Sequence, residues 1–167
     1  HFVSKNAMDI DGLGEKLVNQ LVDAGLVTTI DTLYQLTGNQ LAGLDRMAEK
    51  SAQNIISAIA TSKITDFHRF VFALGIRNVG EHVSKVLEQA FHGDIDSFMS
   101  ADFETLEIID EIGPIVAETV LKFWEDIQNR TVVASCFSHG IRLKEPEKTS
   151  SGILTGKRFV LTGSLES

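Results

Sequence analysis

A short pattern of apolar and small residues recurs four times along the chain. Each copy consists of an apolar residue, two variable residues, a second apolar residue, and then glycine or alanine. The copies occupy residues 10–14, 44–48, 76–80 and 109–113, so successive closing positions lie 32 to 34 residues apart. A near-constant period of this length is typical of a tandem structural repeat.

An amphipathic helix is predicted after each copy, because apolar residues recur there at three- and four-residue spacing. Glycine commonly follows the last helical turn, so the helix after the first copy is predicted to stop at Gly25 and the one after the third at Gly93. Pro114 takes the favoured first helical position after the fourth copy. The four apolar stripes are Leu17, Val18, Leu21 and Ala24; Ala52, Ile55, Ile56 and Ile59; Val83, Val86, Leu87 and Ala90; and Val116, Val120, Phe123 and Ile127.

These patterns predict an all-α fold whose repeating unit is helix, tight turn, helix and connector. Helical patterns at residues 67–74 and short connecting helices at 30–34 and 95–99 complete the units, which we expect to form two pairs over residues 1–66 and 67–142. Residues 143–155 have linker composition. Residues 156–167 contain an apolar, β-branched run before a glycine, which predicts the first strand of a truncated further domain, since so short a stretch cannot bury its own core.

The composition narrows the possible functions. The chain has 15 Lys+Arg against 23 Asp+Glu, a formal net charge of −8, which argues against coating nucleic acid by bulk charge. Its one cysteine, Cys136, excludes an internal disulfide and a zinc site built on two or more cysteines. We expect a reducing, cytoplasmic location and no membrane association, because no apolar run approaches the roughly 18 residues of a membrane span. The start without Met suggests a piece of a longer protein.

The repeated turn has the chemistry of an anion site. Its two apolar residues fix the turn between helices, while the turn and the first helical residues present unpaired N–H groups at the positive end of a helix dipole. A closing glycine allows conformations that other residues avoid and lets a ligand approach the backbone. A phosphate oxygen fits such a site, and four sites suit a polymer of regularly spaced phosphates. The candidate DNA-binding residues are Gly12, Gly14, Lys16, Arg46, Ala48, Lys50, Arg77, Asn78, Gly80, His82, Lys85 and Gly113.

Three of the copies, residues 10–16, 76–82 and 109–114, resemble helix-hairpin-helix motifs. Four such motifs in tandem, preceded by residues 1–8, are similar to the helix-hairpin-helix domain of bacterial NAD-dependent DNA ligases, and residues 49–54 and 72–80 are especially similar to that family. Residues 156–163 resemble the opening strand of the BRCT domain that follows in those ligases. The second copy departs from the pattern at Arg46 and Ala48, and the fourth at Asp110, Glu111 and Pro114, so copies one and three are the stronger anion sites.

The resemblance implies a region that grips nicked double-stranded DNA through phosphate and minor-groove contacts, as part of an enzyme of DNA replication and repair. It implies NAD, magnesium and zinc for the full-length family, with the adenylation domain, the oligonucleotide-binding fold and the zinc module elsewhere in the same chain. This segment contains no Lys-x-Asp-Gly motif, so we expect it to hold no cofactor, metal or catalytic residue and to be inactive by itself.

Other functions stay open on the sequence alone. A period of 33 to 34 residues also belongs to helical repeats that bind proteins, although their signatures are missing here. DNA glycosylases use a helix-hairpin-helix but normally one copy with a catalytic Asp or Lys nearby. A tandem-hairpin module of another DNA repair protein would differ only outside this chain.

Overall fold

The structure, a computed structural model, describes residues 1–145, and helices are the main regular structure of the described part. Its α-helices are α1 Glu15–Asp23, α2 Gly38–Ala42, α3 Glu49–Ser62, α4 Phe67–Ala73, α5 Glu81–Phe91, α6 Ile95–Ser100, α7 Phe103–Glu107, α8 Pro114–Glu125 and α9 Ile127–Ser138. A 3-10 helix covers Thr32–Gln35, and two short strands, β1 Ile64–Thr65 and β2 Arg142–Leu143, pair in parallel. The all-α prediction is confirmed. No helix among the described residues is long and apolar enough to cross a membrane.

The four sequence copies are the turns between packed helices, and we name them hairpins 1 to 4 in chain order (residues 10–14, 44–48, 76–80 and 109–113). Hairpin 2 joins α2 to α3, hairpin 3 joins α4 to α5, and hairpin 4 joins α7 to α8. Hairpin 1 departs from the predicted unit, because residues 1–9 before it contain no helix. Residues 1–9 form successive turns there, in which the Met8 amide donates to the Phe2 carbonyl and the Ile10 amide to the Val3 carbonyl.

The predicted helix ends are largely confirmed. Gly25 has φ +67 and closes α1: its amide donates to the Val22 carbonyl, and the Leu26 amide donates to the Leu21 carbonyl. This pair of bonds is the Schellman arrangement that glycine favours. At the end of α5 the left-handed conformation begins one residue earlier than expected, since His92 has φ +51 before Gly93 at φ +72.

The prediction of one stripe from Val116 to Ile127 is wrong, because the chain breaks between two helices there. Asp126 is extended (φ −71, ψ 112) and its carboxylate accepts a hydrogen bond from the Gln128 amide, which caps a new helix, α9. Ile127 therefore begins α9 with 79% of its surface exposed instead of joining the buried face of α8. A short acceptor side chain at a helix start stabilises such a break.

One hydrophobic core joins both pairs of hairpins. In the second pair Phe98 lies at its centre, with ring centroids 5.7 Å from Phe67, 5.3 Å from Phe91 and 5.5 Å from Trp124. Helix α9 packs onto α4 through Phe137, whose ring lies 5.2 Å from that of Phe70. Edge-on ring packing of this kind adds specific contacts to the burial of apolar area.

The chain returns to the junction between the pairs after α9. The Arg142 amide donates to the Lys63 carbonyl at 2.7 Å and the Lys144 amide to the Thr65 carbonyl at 2.8 Å, which forms the β1–β2 pair. Leu143, the first residue of the expected linker, thus lies in a strand. The rest of that linker from residue 146 and the strand expected at 156–167 lie outside the described residues.

Candidate functional site

All four hairpins have the same turn geometry despite their different sequences. In each, the amide of the fourth residue donates to the carbonyl of the first, at N···O distances of 3.0 to 3.3 Å. The third residue has positive φ in every case: +84 at Gly12, +60 at Arg46, +65 at Asn78 and +68 at Glu111. A β-turn with positive φ at its third residue is favourable for glycine and asparagine. The repeated sequence therefore encodes a repeated backbone.

The expectation that the closing glycine takes a conformation other residues avoid is wrong. Gly14, Gly80 and Gly113 have φ from −72 to −86 with extended ψ, which any residue adopts, and Ala48 has φ −77 at the equivalent place. A Cβ built on any of the three glycines meets no heavy atom within 4 Å in the described part of the chain. Glycine at this position is thus required neither by the backbone conformation nor by internal packing.

The helices that follow the four turns begin without side-chain caps. Gly14, Ala48, Gly80 and Gly113 stand at the capping positions of α1, α3, α5 and α8 and offer no side-chain acceptor. Most other helices begin with a side-chain cap that accepts a hydrogen bond from a first-turn amide. The capping residues are Thr37, Asp94, Asp102 and Asp126. A capping side chain accepts hydrogen bonds from first-turn N–H groups that are otherwise unpaired. Among the described residues, the helices after the hairpins have no such cap, so their first N–H groups stay unpaired.

The free donors are most numerous at hairpins 1 to 3. No described residue accepts a hydrogen bond from the amides of Glu15 and Lys16, or from those of Glu81 and His82. Pro114 has no N–H group, so hairpin 4 presents one donor fewer. The ranking of hairpin 4 as a weaker anion site stays a prediction.

All twelve predicted site residues are solvent-exposed, while the apolar ends of each turn are buried or half-buried. The Arg46 side chain is 84% exposed, and among the described residues it pairs only with neighbouring Asp45, at 4.0 Å. Within residues 1–145, the exposed cations without an ion pair at the hairpins are Lys16, Lys50, Arg77 and Lys85. These side chains are free to meet an external anion.

The structure brings the predicted residues into two groups. Hairpins 1 and 2 flank one open groove of about 740 Å³, lined among others by Gly12, Gly14, Lys16 and Arg46, where the Gln20 side chain donates to the Asp45 carbonyl at 3.3 Å. The helix after hairpin 3 contacts hairpin 4, with His82 Nε2 of α5 2.6 Å from Glu111 Oε2. His82 is therefore already in contact with Glu111 of the same chain, which its sequence position did not indicate.

The residues that connect the two groups were missed by the sequence reasoning. Asn6 donates to the Glu81 side chain at 2.6 Å, which joins the segment before hairpin 1 to the start of α5. The Arg69 guanidinium donates to the carbonyls of Ala7 and Lys5 and lies 3.7 Å from Asp9. These partners are separated by more than 50 residues and follow no local pattern, so no signal in one sequence identifies them.

A polar cluster beside α9 resembles a hydrolase triad in composition only. Ser135 donates to the Asp31 carboxylate at 2.7 Å, and His139 Nδ1 lies 2.7 Å from the Ser135 carbonyl oxygen. A nucleophilic triad needs the histidine between the carboxylate and the hydroxyl, which this order does not give. Burial, and secondarily the nearby Asp31 charge, raises the pKa of the Cys136 thiol to about 12, so a reactive thiolate is not favoured.

Comparison with known proteins agrees with this geometry. The chain matches a family model described as a SAM-like helix-hairpin-helix tandem over residues 4–61 and one described as a helix-hairpin-helix motif over residues 69–133. The two ranges contain hairpins 1 and 2 and hairpins 3 and 4, and the chain is a member of the helix-hairpin-helix class.

The chain is also homologous to a segment of DNA ligases. It is 46% identical over 165 residues to the DNA ligases of Geobacter sulfurreducens and Syntrophotalea carbinolica. Each alignment covers 99% of this chain and 24% of the relative, so the chain spans about a quarter of the length of the curated relatives it matches.

Proposed function

We propose that this chain binds double-stranded DNA without sequence preference and serves as the DNA-gripping part of an NAD-dependent DNA ligase that seals nicks in replication and repair. Phosphate contacts position a protein on DNA without reading its bases, which suits an enzyme that must act at any nick. The DNA ligases to which the chain is similar support this proposal.

The observation that carries the proposal is the set of uncapped helix starts behind four exposed turns. Free amides at the positive end of a helix dipole form a favourable site for a phosphate oxygen. Because backbone N–H groups are the donors, such a site does not depend on a positive net charge, and the chain has a net charge of −8. Lys16, Lys50, Arg77 and Lys85, which form no ion pair with any described residue, add attraction at the same places.

The nucleotidyl-transfer chemistry belongs elsewhere in such a ligase. The sequence has no Lys-x-Asp-Gly motif, and its single buried cysteine does not fit a four-cysteine zinc module. NAD, magnesium and zinc would therefore act through other domains of the same chain, and this segment would bind nicked DNA while catalysing nothing. We place the ligase in the bacterial cytoplasm and assign residues 156–167 to the start of a BRCT domain.

Valine substitutions at the closing glycines test the proposal. Gly14→Val and Gly80→Val should each weaken binding to a nicked duplex by about tenfold or more, because a side chain there keeps the phosphate from the amides and removes charge-assisted hydrogen bonds. The backbone at both positions is extended and the space open, so both variants should remain folded. Fluorescence anisotropy measures the affinity, and circular dichroism the fold.

Gly38→Val is the matched control, because Gly38 also has open space around it but lies in α2, outside the hairpins. It should bind DNA as the parent chain does. Wild-type affinity in the folded Gly14→Val and Gly80→Val variants would exclude the amide-phosphate site. A helical scaffold that binds proteins would retain its partner in all three variants and show no saturable binding to DNA at low salt.

A further inference from the structure

Hairpin 4 differs from the others at the second residue of its helix. That position holds Lys16, Lys50 and His82 in hairpins 1 to 3, but Ile115 in hairpin 4. Ile115 is 70% exposed, and Ile108, just before the same turn, is 83% exposed. An apolar residue thus occupies the place from which the other hairpins present a side chain able to carry positive charge.

The turn of hairpin 4 lies directly beside the start of α5. The 2.6 Å contact between His82 Nε2 and Glu111 Oε2 joins the second residue of α5 to the third residue of hairpin 4. Two side chains in contact hold their backbones no farther apart than roughly the width of the major groove of DNA, about 12 Å. A duplex seated on the free amides of α5 would therefore pass close to hairpin 4.

Hairpin 4 is unsuited to a phosphate. Pro114 lacks the first amide donor, Asp110 and Glu111 carry negative charge in the turn, and Ile115 supplies no cation. Proteins that bind the minor groove frequently place apolar side chains against its sugars and base steps, where no charge is needed.

We infer that hairpin 4 contacts DNA through Ile115, packed against the deoxyribose wall of the minor groove, while hairpin 3 holds the phosphate. This inference rests on the proposed DNA binding, and it assigns different DNA contacts to hairpins 3 and 4. Ile115 acts as a positioning residue that sets how closely the minor groove of the DNA approaches hairpins 3 and 4.

The test compares Ile115→Ala with Ile127→Ala, whose isoleucine is similarly exposed but lies at the start of α9, away from the hairpins. Binding of the 167-residue chain to a nicked duplex is measured by anisotropy over a range of salt concentrations. Ile115→Ala should weaken binding by about tenfold, the loss expected for a few methyl groups, and leave the salt slope unchanged. Ile127→Ala should bind as the parent does.

Lys16→Ala is the third variant, and it should weaken binding while reducing the magnitude of the salt slope by about 0.9, because one phosphate contact is lost. Parent-like affinity in Ile115→Ala alongside weakened binding in Lys16→Ala would overturn the inference and leave the proposed DNA binding in place; Ile115 would then face a protein or solvent. A changed salt slope in Ile115→Ala would also overturn it. A parent chain that fails to bind DNA would refute both.

Discussion

Single residues in the hairpins differ in what the backbone requires of them. Gly12 has φ +84, and a Cβ there would lie 3.1 Å from Ile55 Cγ1, whereas Gly14 is extended and open. Gly12→Ala should lower the free energy of unfolding by about 1–2 kcal/mol, the cost of a left-handed residue with a side chain. Gly14→Ala should change it by less than about 0.5 kcal/mol, because a poorer cap is offset by a less flexible unfolded chain. Urea denaturation of both variants measures the difference, and equal losses would contradict it.

The sequence located the turns but assigned the conformational demand to the wrong residue. Three of the four copies end in glycine, so the special backbone conformation was predicted at that repeated glycine. The left-handed position is held by four different residue types, including Arg46 and Glu111, which do not signal positive φ. Because Arg46 and Glu111 give no sequence signal for a left-handed residue, only the backbone itself reveals that all four turns share this conformation. Under the proposed function, glycine at the closing position would give a phosphate access to the amides.

At the scale of helices, two aspartate caps make stability depend on pH. Hydrogen bonds from Ser97 lower the pKa of Asp94, and those from Thr105 lower the pKa of Asp102. Since each folded pKa lies below its unfolded value of about 3.9, this stabilisation is present above pH 4 and is lost as the pH falls through the folded pKa. Thermal unfolding between pH 5 and pH 2 should show a smaller acid destabilisation in the Asp94→Asn, Asp102→Asn double variant. An unchanged profile would contradict this role.

Helices with strong periodicity were predictable, and breaks between them were less so. Glycine and apolar spacing placed α1, α3, α5 and the start of α8 correctly. The break after α8 was hidden, because Ile127 continues the spacing of Val120 and Phe123 while Asp126 caps the next helix. The missing helix before hairpin 1 has a similar origin, since residues 1–9 are held by contacts with α4 and not by a periodic pattern of their own.

At the scale of the whole molecule, long-range polar contacts join the two pairs of hairpins, and Arg69 is central among them. It donates to two carbonyls of the N-terminal segment and lies near Asp9. Arg69→Ala should therefore lower the free energy of unfolding by about 2–3 kcal/mol, since charged donors to carbonyls contribute more than neutral ones. Arg130→Ala, at an exposed arginine of α9, should have little effect. Equal stability of the two variants in urea would show that Arg69 does not hold the segment.

The division between amide and side-chain contacts predicts how DNA binding depends on salt. Each phosphate neutralised by a cation contributes about −0.9 to the slope of log K against log salt, and the hairpins carry no more than five exposed lysines and arginines among the described residues: Lys16, Arg46, Lys50, Arg77 and Lys85. The slope should therefore be no steeper than about −4.5. Gly80→Val should weaken binding without changing the slope, because it removes amide contacts and no charge. Anisotropy titrations between 50 and 200 mM salt measure both quantities. A slope near −7 would mean that cations outside the hairpins dominate, and the uncapped helix starts would then no longer explain how an acidic protein holds a polyanion.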